Sequence, residues 1–127
     1  MQLTPLGKWL RHRRIERGVM LGDMATALNV SAPTLSSIEH GRRKPTIELG
    51  ENIRIFFQLN EGETNSLFEL ISQEIDAFTM TPANDVEKEA MLLFARYVSS
   101  FKQSDLDRIK LAILGENEGG KDARKTH

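Results

Sequence analysis

The chain has 127 residues, of which 39% are hydrophobic and 28% charged, with a formal net charge of −1; this suits one small domain with an extension, or two very small domains. It contains no Cys, which excludes a disulfide framework and a Cys-based zinc site, and His12, His40 and His127 are not spaced as metal ligands. No apolar run is long enough for a signal peptide or a membrane span, so we expect a soluble, cytoplasmic protein with no membrane partner.

The charges are unevenly distributed along the chain. Residues 1–45 carry eight Lys or Arg against three acids, a net +5, whereas residues 46–78 carry one Arg against seven acids, a net −6. Residues 79–127 carry eight of each sign. A concentrated positive region favours contact with phosphates, so a nucleic-acid partner would meet the N-terminal third of the chain.

Helix 1 is predicted over residues 5–17. Thr4 is the expected N-cap, Pro5 suits the first helical position, and Gly18 ends the helix. The predicted inner stripe consists of Leu6, Trp9, Leu10 and an extension through residues 13–15.

Residues 21–45 predict two short helices joined by a tight turn. Helix 2 covers about residues 22–28, and Ser31 caps helix 3, which runs to about residue 40 and stops before Gly41. Leu35 and Ile38 face inward. A positive cluster follows directly, made of Arg42, Arg43 and Lys44. This order is typical of a helix-turn-helix, whose second helix enters the DNA major groove.

Helices 4 and 5 are predicted over residues 47–58 and 61–78. Thr46 caps the first, and Asn60 with Glu63 forms a capping box for the second. The predicted core positions are Ile47, Leu49, Ile53, Phe56 and Phe57 on helix 4, and Leu67, Leu70, Ile71, Ile75 and Phe78 on helix 5.

The predicted C-terminal extension follows a linker at residues 79–84. Asn84 with Glu87 starts helix 6 at residues 85–102, and Ser104 with Asp107 starts helix 7 at residues 105–114, ended by Gly115. Residues 116–127 are polar and predicted to be disordered. Helix 6 has a broad apolar stripe, formed by Val86, Ala90, Leu93, Phe94, Tyr97, Val98 and Phe101. Two such helices need a further surface to cover this stripe, so residues 85–115 are predicted to mediate dimerisation or partner binding.

Residues 6–58 resemble the helix-turn-helix domain of lambda-type phage repressors and Cro, often called the XRE family. The motifs that carry the resemblance are Arg14-Ile15-x-x-Gly18, Met24-Ala25-x-x-Leu28-x-Val30-Ser31, Leu35-Ser36-x-Ile38-Glu39-x-Gly41 and Pro45. The implied fold is all-α: a five-helix lambda-repressor-like DNA-binding domain at residues 1–78, followed by the two-helix extension.

The resemblance also implies which residues meet double-stranded DNA. The residues placed against base edges are Ala32, Pro33, Thr34, Ser36 and Ser37. The residues placed against phosphates are Ser31, His40, Arg42, Arg43, Lys44, Lys8 and Arg11. Arg14 and Glu39 stand where the family has an ion pair that fixes the orientation of helix 3.

Two positions depart from the family pattern. Met20 replaces the usual Thr or Ser cap of helix 2, and Leu21 replaces a Gln that reaches a phosphate. The base-facing set also lacks the Gln, Asn and Arg side chains that make bidentate base contacts. We therefore expect weak direct readout, with more of the specificity left to DNA shape and phosphate contacts.

The leading hypothesis is a sequence-specific transcriptional regulator, a repressor of phage or mobile-element type that binds a palindromic operator as a homodimer. One alternative is an antitoxin whose helices 6 and 7 dock on a protein partner. Another is an anti-activator that uses the scaffold for protein contacts. No catalytic motif is present, so the protein is predicted not to be an enzyme and to need no cofactor or metal.

Overall fold

A computed structural model describes residues 2–115, and over this range the regular structure consists of seven α-helices and one 3₁₀ turn, without strands. The predicted all-α fold is confirmed. The described residues form two compact units, and the division between them falls after Thr79. In the described range no helix is long and apolar enough to cross a membrane. The tail predicted at residues 116–127 lies outside the described residues.

The first unit contains five helices that enclose a single apolar core. They are α1 (Pro5–Arg17), α2 (Leu21–Ala27), α3 (Ala32–Glu39), α4 (Ile47–Phe57) and α5 (Glu61–Ser72). Each helix contributes buried side chains because its apolar residues recur at helical spacing. The largest fully buried side chains are Phe57, Leu6, Leu10, Met24, Leu35, Ile53, Leu67 and Ile71.

Side-chain caps define most of the helix starts in this unit. The hydroxyls of Thr4, Ser31 and Thr46 each accept a hydrogen bond from the backbone N–H three residues later. Asn60 and Glu63 form the predicted capping box, in which each side chain accepts from the other residue's backbone N–H. These caps satisfy N–H groups that have no partner inside the helix, so local sequence sets these boundaries.

Two expectations for the first helices are corrected. Helix 2 was predicted at residues 22–28 but runs Leu21–Ala27, with Met20 at its N-cap and no side-chain cap bond, as expected for Met. Ile15, predicted on the inner stripe of helix 1, is 70% exposed. It does not share the face of Leu6 and Leu10 that α1 buries, because helical periodicity turns it away from that face.

The predicted end of helix 5 at Phe78 is wrong, because α5 ends at Ser72 and Phe78 is 62% exposed. The backbone leaves the helix in a turn in which the Glu74 N–H donates to the Ile71 carbonyl. The ammonium of Lys44 donates to the Glu74 carbonyl at 2.8 Å. In a continuing helix the Glu74 carbonyl would accept from the N–H of residue 78, and here it accepts from Lys44 instead. Lys44, which is distant in sequence, therefore helps to end the helix.

The second unit contains α6 (Asp85–Tyr97), a 3₁₀ turn (Val98–Ser100) and α7 (Gln103–Leu114). The predicted continuation of helix 6 to residue 102 is wrong. Two consecutive serines are poor helix formers, and the Ser100 hydroxyl donates to the Tyr97 carbonyl at 2.8 Å. The turn brings the rings of Phe94 and Phe101 to a centroid separation of 5.7 Å.

The predicted start of helix 7 at residue 105 is also wrong. The helix begins two residues earlier, because the Asp105 carboxylate accepts the Lys102 backbone N–H at 3.0 Å and so occupies the third helical position. That hydrogen bond and the guanidinium of Arg108 lower the pKa of Asp105. Ser104 is therefore the second residue of the helix and not its N-cap, and Asp107 lies further along the same helix.

The described residues of the second unit include no buried residue. Most large apolar side chains of α6 and α7 are substantially exposed, from 44% for Phe94 to 79% for Val86. Asn84 caps α6 through the Glu87 N–H at 2.9 Å, so the helix start is well defined. The unit therefore consists of regular amphipathic helices whose apolar faces remain open.

Candidate nucleic-acid interface

The candidate interface is built around α3, which follows α2 after a short turn. Asn29 adopts a positive φ of 59° in that turn, a conformation that Asn tolerates better than most residues. On the inner face of α3, Leu35 and Ile38 are buried in the core. The remaining face is available to a ligand while the helix itself stays fixed by its packing.

The C-terminal end of α3 docks against the start of α1. The Thr4 N–H and hydroxyl both donate to the Glu39 carbonyl, at 3.0 and 3.3 Å. A Cβ on Gly7 would lie 1.9 Å from that same oxygen, so the two helices approach more closely than any other residue at position 7 would allow. This contact fixes the position of α3 relative to α1.

Arg14 and Glu39 lie together at this junction, in the arrangement that the resemblance implied. The Arg14 Nη2 donates to both carboxylate oxygens, at 3.1 and 3.0 Å. The side chains are 11% and 4% exposed, respectively. The pair is thus largely shielded from water, and it joins α1 to the last residue of α3.

The five residues expected at base edges occupy the first and middle turns of α3. Pro33 is exposed, and the other four are partly exposed, namely Ala32, Thr34, Ser36 and Ser37. The Thr34 hydroxyl is already engaged, since it accepts from the Ser31 hydroxyl at 2.7 Å and from the Arg43 Nη1 at 3.3 Å. Of the hydroxyl groups of Thr34, Ser36 and Ser37, that of Thr34 is therefore the one held by neighbouring side chains.

The basic loop after α3 is ordered by its own backbone. Gly41 has a φ of 74°, and the N–H groups of Arg42 and Arg43 both donate to the Ser37 carbonyl, at 2.9 and 3.2 Å. Both arginines are exposed. Lys44 differs, because its ammonium is bonded to the Glu74 carbonyl beyond α5. Lys44 thus differs in its contacts from the two arginines that precede it.

The remaining expected phosphate contacts lie at the two ends of α3 and on α1. Ser31 is exposed at the start of α3, and the His40 Nδ1 lies 2.9 Å from the Ser36 carbonyl at its end. Lys8 and Arg11 are exposed on α1. Lys8 lies one helical turn after Thr4, and hence one turn from the junction with α3.

Two further arginines of α1 hold the fold together, a role that the sequence analysis missed. Arg13 pairs with Glu63 of α5 and lies 4.8 Å from the centre of the Trp9 ring. Arg17 donates to the Phe57 carbonyl at 2.6 Å, at the end of α4. The spacing of Trp9 and Arg13, four residues apart on a helix, was a usable signal for the stacking contact.

Comparison with known proteins agrees with this geometry. A family model described as a helix-turn-helix domain matches residues 5–54. No curated protein and no solved structure matched the chain. Residues 5–54 are therefore a helix-turn-helix domain, and that prediction is confirmed. The presence of this domain supports a role for the protein as a DNA-binding regulator.

Proposed function

We propose that the protein is a non-enzymatic, sequence-specific transcriptional regulator of the XRE type that acts in the cytoplasm. In this proposal it represses a phage or mobile-element promoter by binding a palindromic operator as a dimer. The observation that carries the proposal is the fixation of α3: its inner face is buried, its last residue is paired with Arg14, and exposed arginines follow it. A rigid helix with one free face is suited to insertion into the major groove.

Base recognition in this proposal depends mainly on Ser36 and Ser37. The Thr34 hydroxyl is shared with Ser31 and Arg43, so it positions the start of α3 more than it reads a base. Serine hydroxyls donate to or accept from several bases and discriminate less than a bidentate Gln or Arg. Ala32 and Pro33 present apolar groups that suit a thymine methyl. DNA shape then accounts for much of the sequence preference.

Phosphate binding is assigned chiefly to Arg42 and Arg43, with Ser31, His40, Lys8 and Arg11 completing the set. The two arginines are exposed on a loop whose backbone is held by Ser37, which places both of them beside the end of α3. The Arg43 guanidinium bonds to Thr34 through one nitrogen, at 3.3 Å, and has further N–H donors for a phosphate. Lys44 contributes less as a direct contact, because binding a phosphate would require it to leave the Glu74 carbonyl.

A salt titration of DNA binding tests this assignment. The variant Arg42→Ala/Arg43→Ala should bind all duplexes more weakly. The negative slope of log K against log salt should become shallower by roughly 0.9 for each phosphate that the variant no longer neutralises. Arg54→Ala/Arg108→Ala removes the same charge from a partly exposed position on α4 and an exposed position on α7, and it serves as the matched control. Equal slopes for the parent and for the Arg42/Arg43 variant would place the DNA surface elsewhere.

A selection of preferred sites from random duplexes tests the role of α3 in specificity. Ser37→Gln should change the selected sequence, because Gln pairs well with adenine in the major groove. Glu69→Gln, a change to an exposed residue of α5, is the control and should select the parental site. An unchanged site for Ser37→Gln would contradict base reading by α3.

A further inference from the structure

A single stripe of α6 has two leucines at its centre, a net negative N-terminal end with two acids and one lysine, and an arginine at its C-terminal end. Six side chains line one shallow groove along the helix, namely Asp85, Lys88, Glu89, Leu92, Leu93 and Arg96. Leu92 and Leu93 at the centre are 57% and 54% exposed. Leu93 also borders a second groove that is apolar throughout, formed with Ala90, Phe94, Tyr97 and Phe101. The exposed apolar surface is thus continuous across this side of α6.

The charged groups that flank the two leucines are available for a partner. Glu89 and Arg96 are seven residues apart, about 10 Å along the helix, and too distant to pair with each other. Neither forms an ion pair within residues 2–115. The Arg96 guanidinium lies over the ring of Tyr97, 5.2 Å from its centre, which orients it beside the apolar surface.

This pattern is self-complementary when two copies of α6 run antiparallel. A two-fold axis that passes between Leu92 and Leu93 places Leu92 of each copy against Leu93 of the other copy. The same axis places Glu89 opposite the partner's Arg96, and by symmetry the contact occurs twice. A parallel arrangement would instead place Glu89 opposite the partner's Glu89. Opposite charges and antiparallel helix dipoles therefore both favour the antiparallel pair.

We propose that the occupant of the α6 surface is a second copy of this chain, packed antiparallel through α6 with its two-fold axis at Leu92 and Leu93. The proposal deepens the dimeric operator binding proposed above and rests on it. It assigns specificity for the correct partner to the Glu89–Arg96 contacts and binding strength to the apolar centre. Like charges at these positions would prevent pairing, as rim charges do in other helical assemblies.

Charge reversal in the full chain tests this arrangement. Glu89→Arg and Arg96→Glu should each raise the dimer dissociation constant at least about tenfold, because each creates two like-charge contacts per dimer. A mixture of the two variants should form a heterodimer with parental affinity, since both contacts are then attractive. Lys110→Glu on α7 is a matched exposed charge reversal and should leave the dimer unchanged. Sedimentation equilibrium and native mass spectrometry of the mixture measure these states.

The outcomes separate this inference from the proposed function. Restoration on mixing cannot come from a folding defect, because neither variant would repair the other's fold. A parent that stays monomeric, or single variants that dimerise as the parent does, would overturn the α6 arrangement. In the second case the contact lies elsewhere, and α6 becomes available to a different protein, as in the antitoxin hypothesis. Salt-dependent binding to a half-site duplex is measured separately and would still report DNA recognition.

Discussion

Replacement of Arg14 by Ala tests whether the orientation of α3 depends on the ion pair with Glu39. The Glu39 side chain is 4% exposed in the intact pair, and the substitution removes its arginine partner. Removal of one partner from a buried pair typically costs about 3–5 kcal/mol, because the other charge stays desolvated. The pair is not fully enclosed at the Arg14 side, which is 11% exposed, so we expect a loss of about 3 kcal/mol.

The unfolding of the first unit can be followed specifically. Trp9 is the only tryptophan of the chain, and it lies in α1, partly buried against the core. Its fluorescence in a urea titration therefore reports the first unit and not α6 or α7. A loss of about 3 kcal/mol in a unit of this size corresponds to a fall in Tm of about 12–24 °C. Binding of DNA should weaken in parallel, since α3 loses its fixed orientation.

Three further variants sharpen this test. Arg14→Lys should cost less than Arg14→Ala, because one nitrogen makes both bonds to Glu39 and the buried Nε has no partner within the described residues. The double variant Arg14→Ala/Glu39→Ala should lose less than the sum of the single variants, because no unpaired buried charge remains. Arg54→Ala breaks an exposed pair with Glu51 and should cost about 0–1 kcal/mol. An Arg14→Ala loss no larger than that of Arg54→Ala would refute the reasoning.

Two further predictions concern packing and pH. Gly7→Ala should destabilise the first unit by at least about 1–3 kcal/mol in the same urea titration, because the new Cβ would lie 1.9 Å from a backbone oxygen of α3. Gly22→Ala is the control: the space around Gly22 is open, so the variant should stabilise α2 by about 0.5–1 kcal/mol. The Asn60 backbone N–H and the Arg13 guanidinium lower the pKa of Glu63. The stability that the Glu63 carboxylate contributes should thus be complete above the ordinary glutamate pKa of about 4.3, and it should disappear as the pH falls through the lowered pKa. Acid unfolding of the parent and of Glu63→Gln, which has no carboxylate at this position, measures this pH-dependent part of the stability. A parallel acid response of both proteins would contradict the assigned role of the carboxylate.

The sequence alone determined the features that depend on short-range chemistry. Thr4, Ser31, Thr46 and Asn60 stand at their caps, because a side-chain oxygen and an N–H three residues later are enough to define a helix start. The helical spacing of the apolar residues likewise predicted most of the core. The motifs around α2 and α3 predicted the helix-turn-helix domain, which the family match confirms.

Tertiary structure decided the features that depend on partners distant in the sequence. Lys44 bonds to Glu74 across 30 residues, which removes it from the simple basic cluster and helps to end α5 early. Arg13 and Arg17 resemble the other arginines of α1 in sequence, yet one pairs with α5 and the other with the end of α4. A residue's charge is readable from the sequence, but its partner depends on which helices the packing of the core brings together.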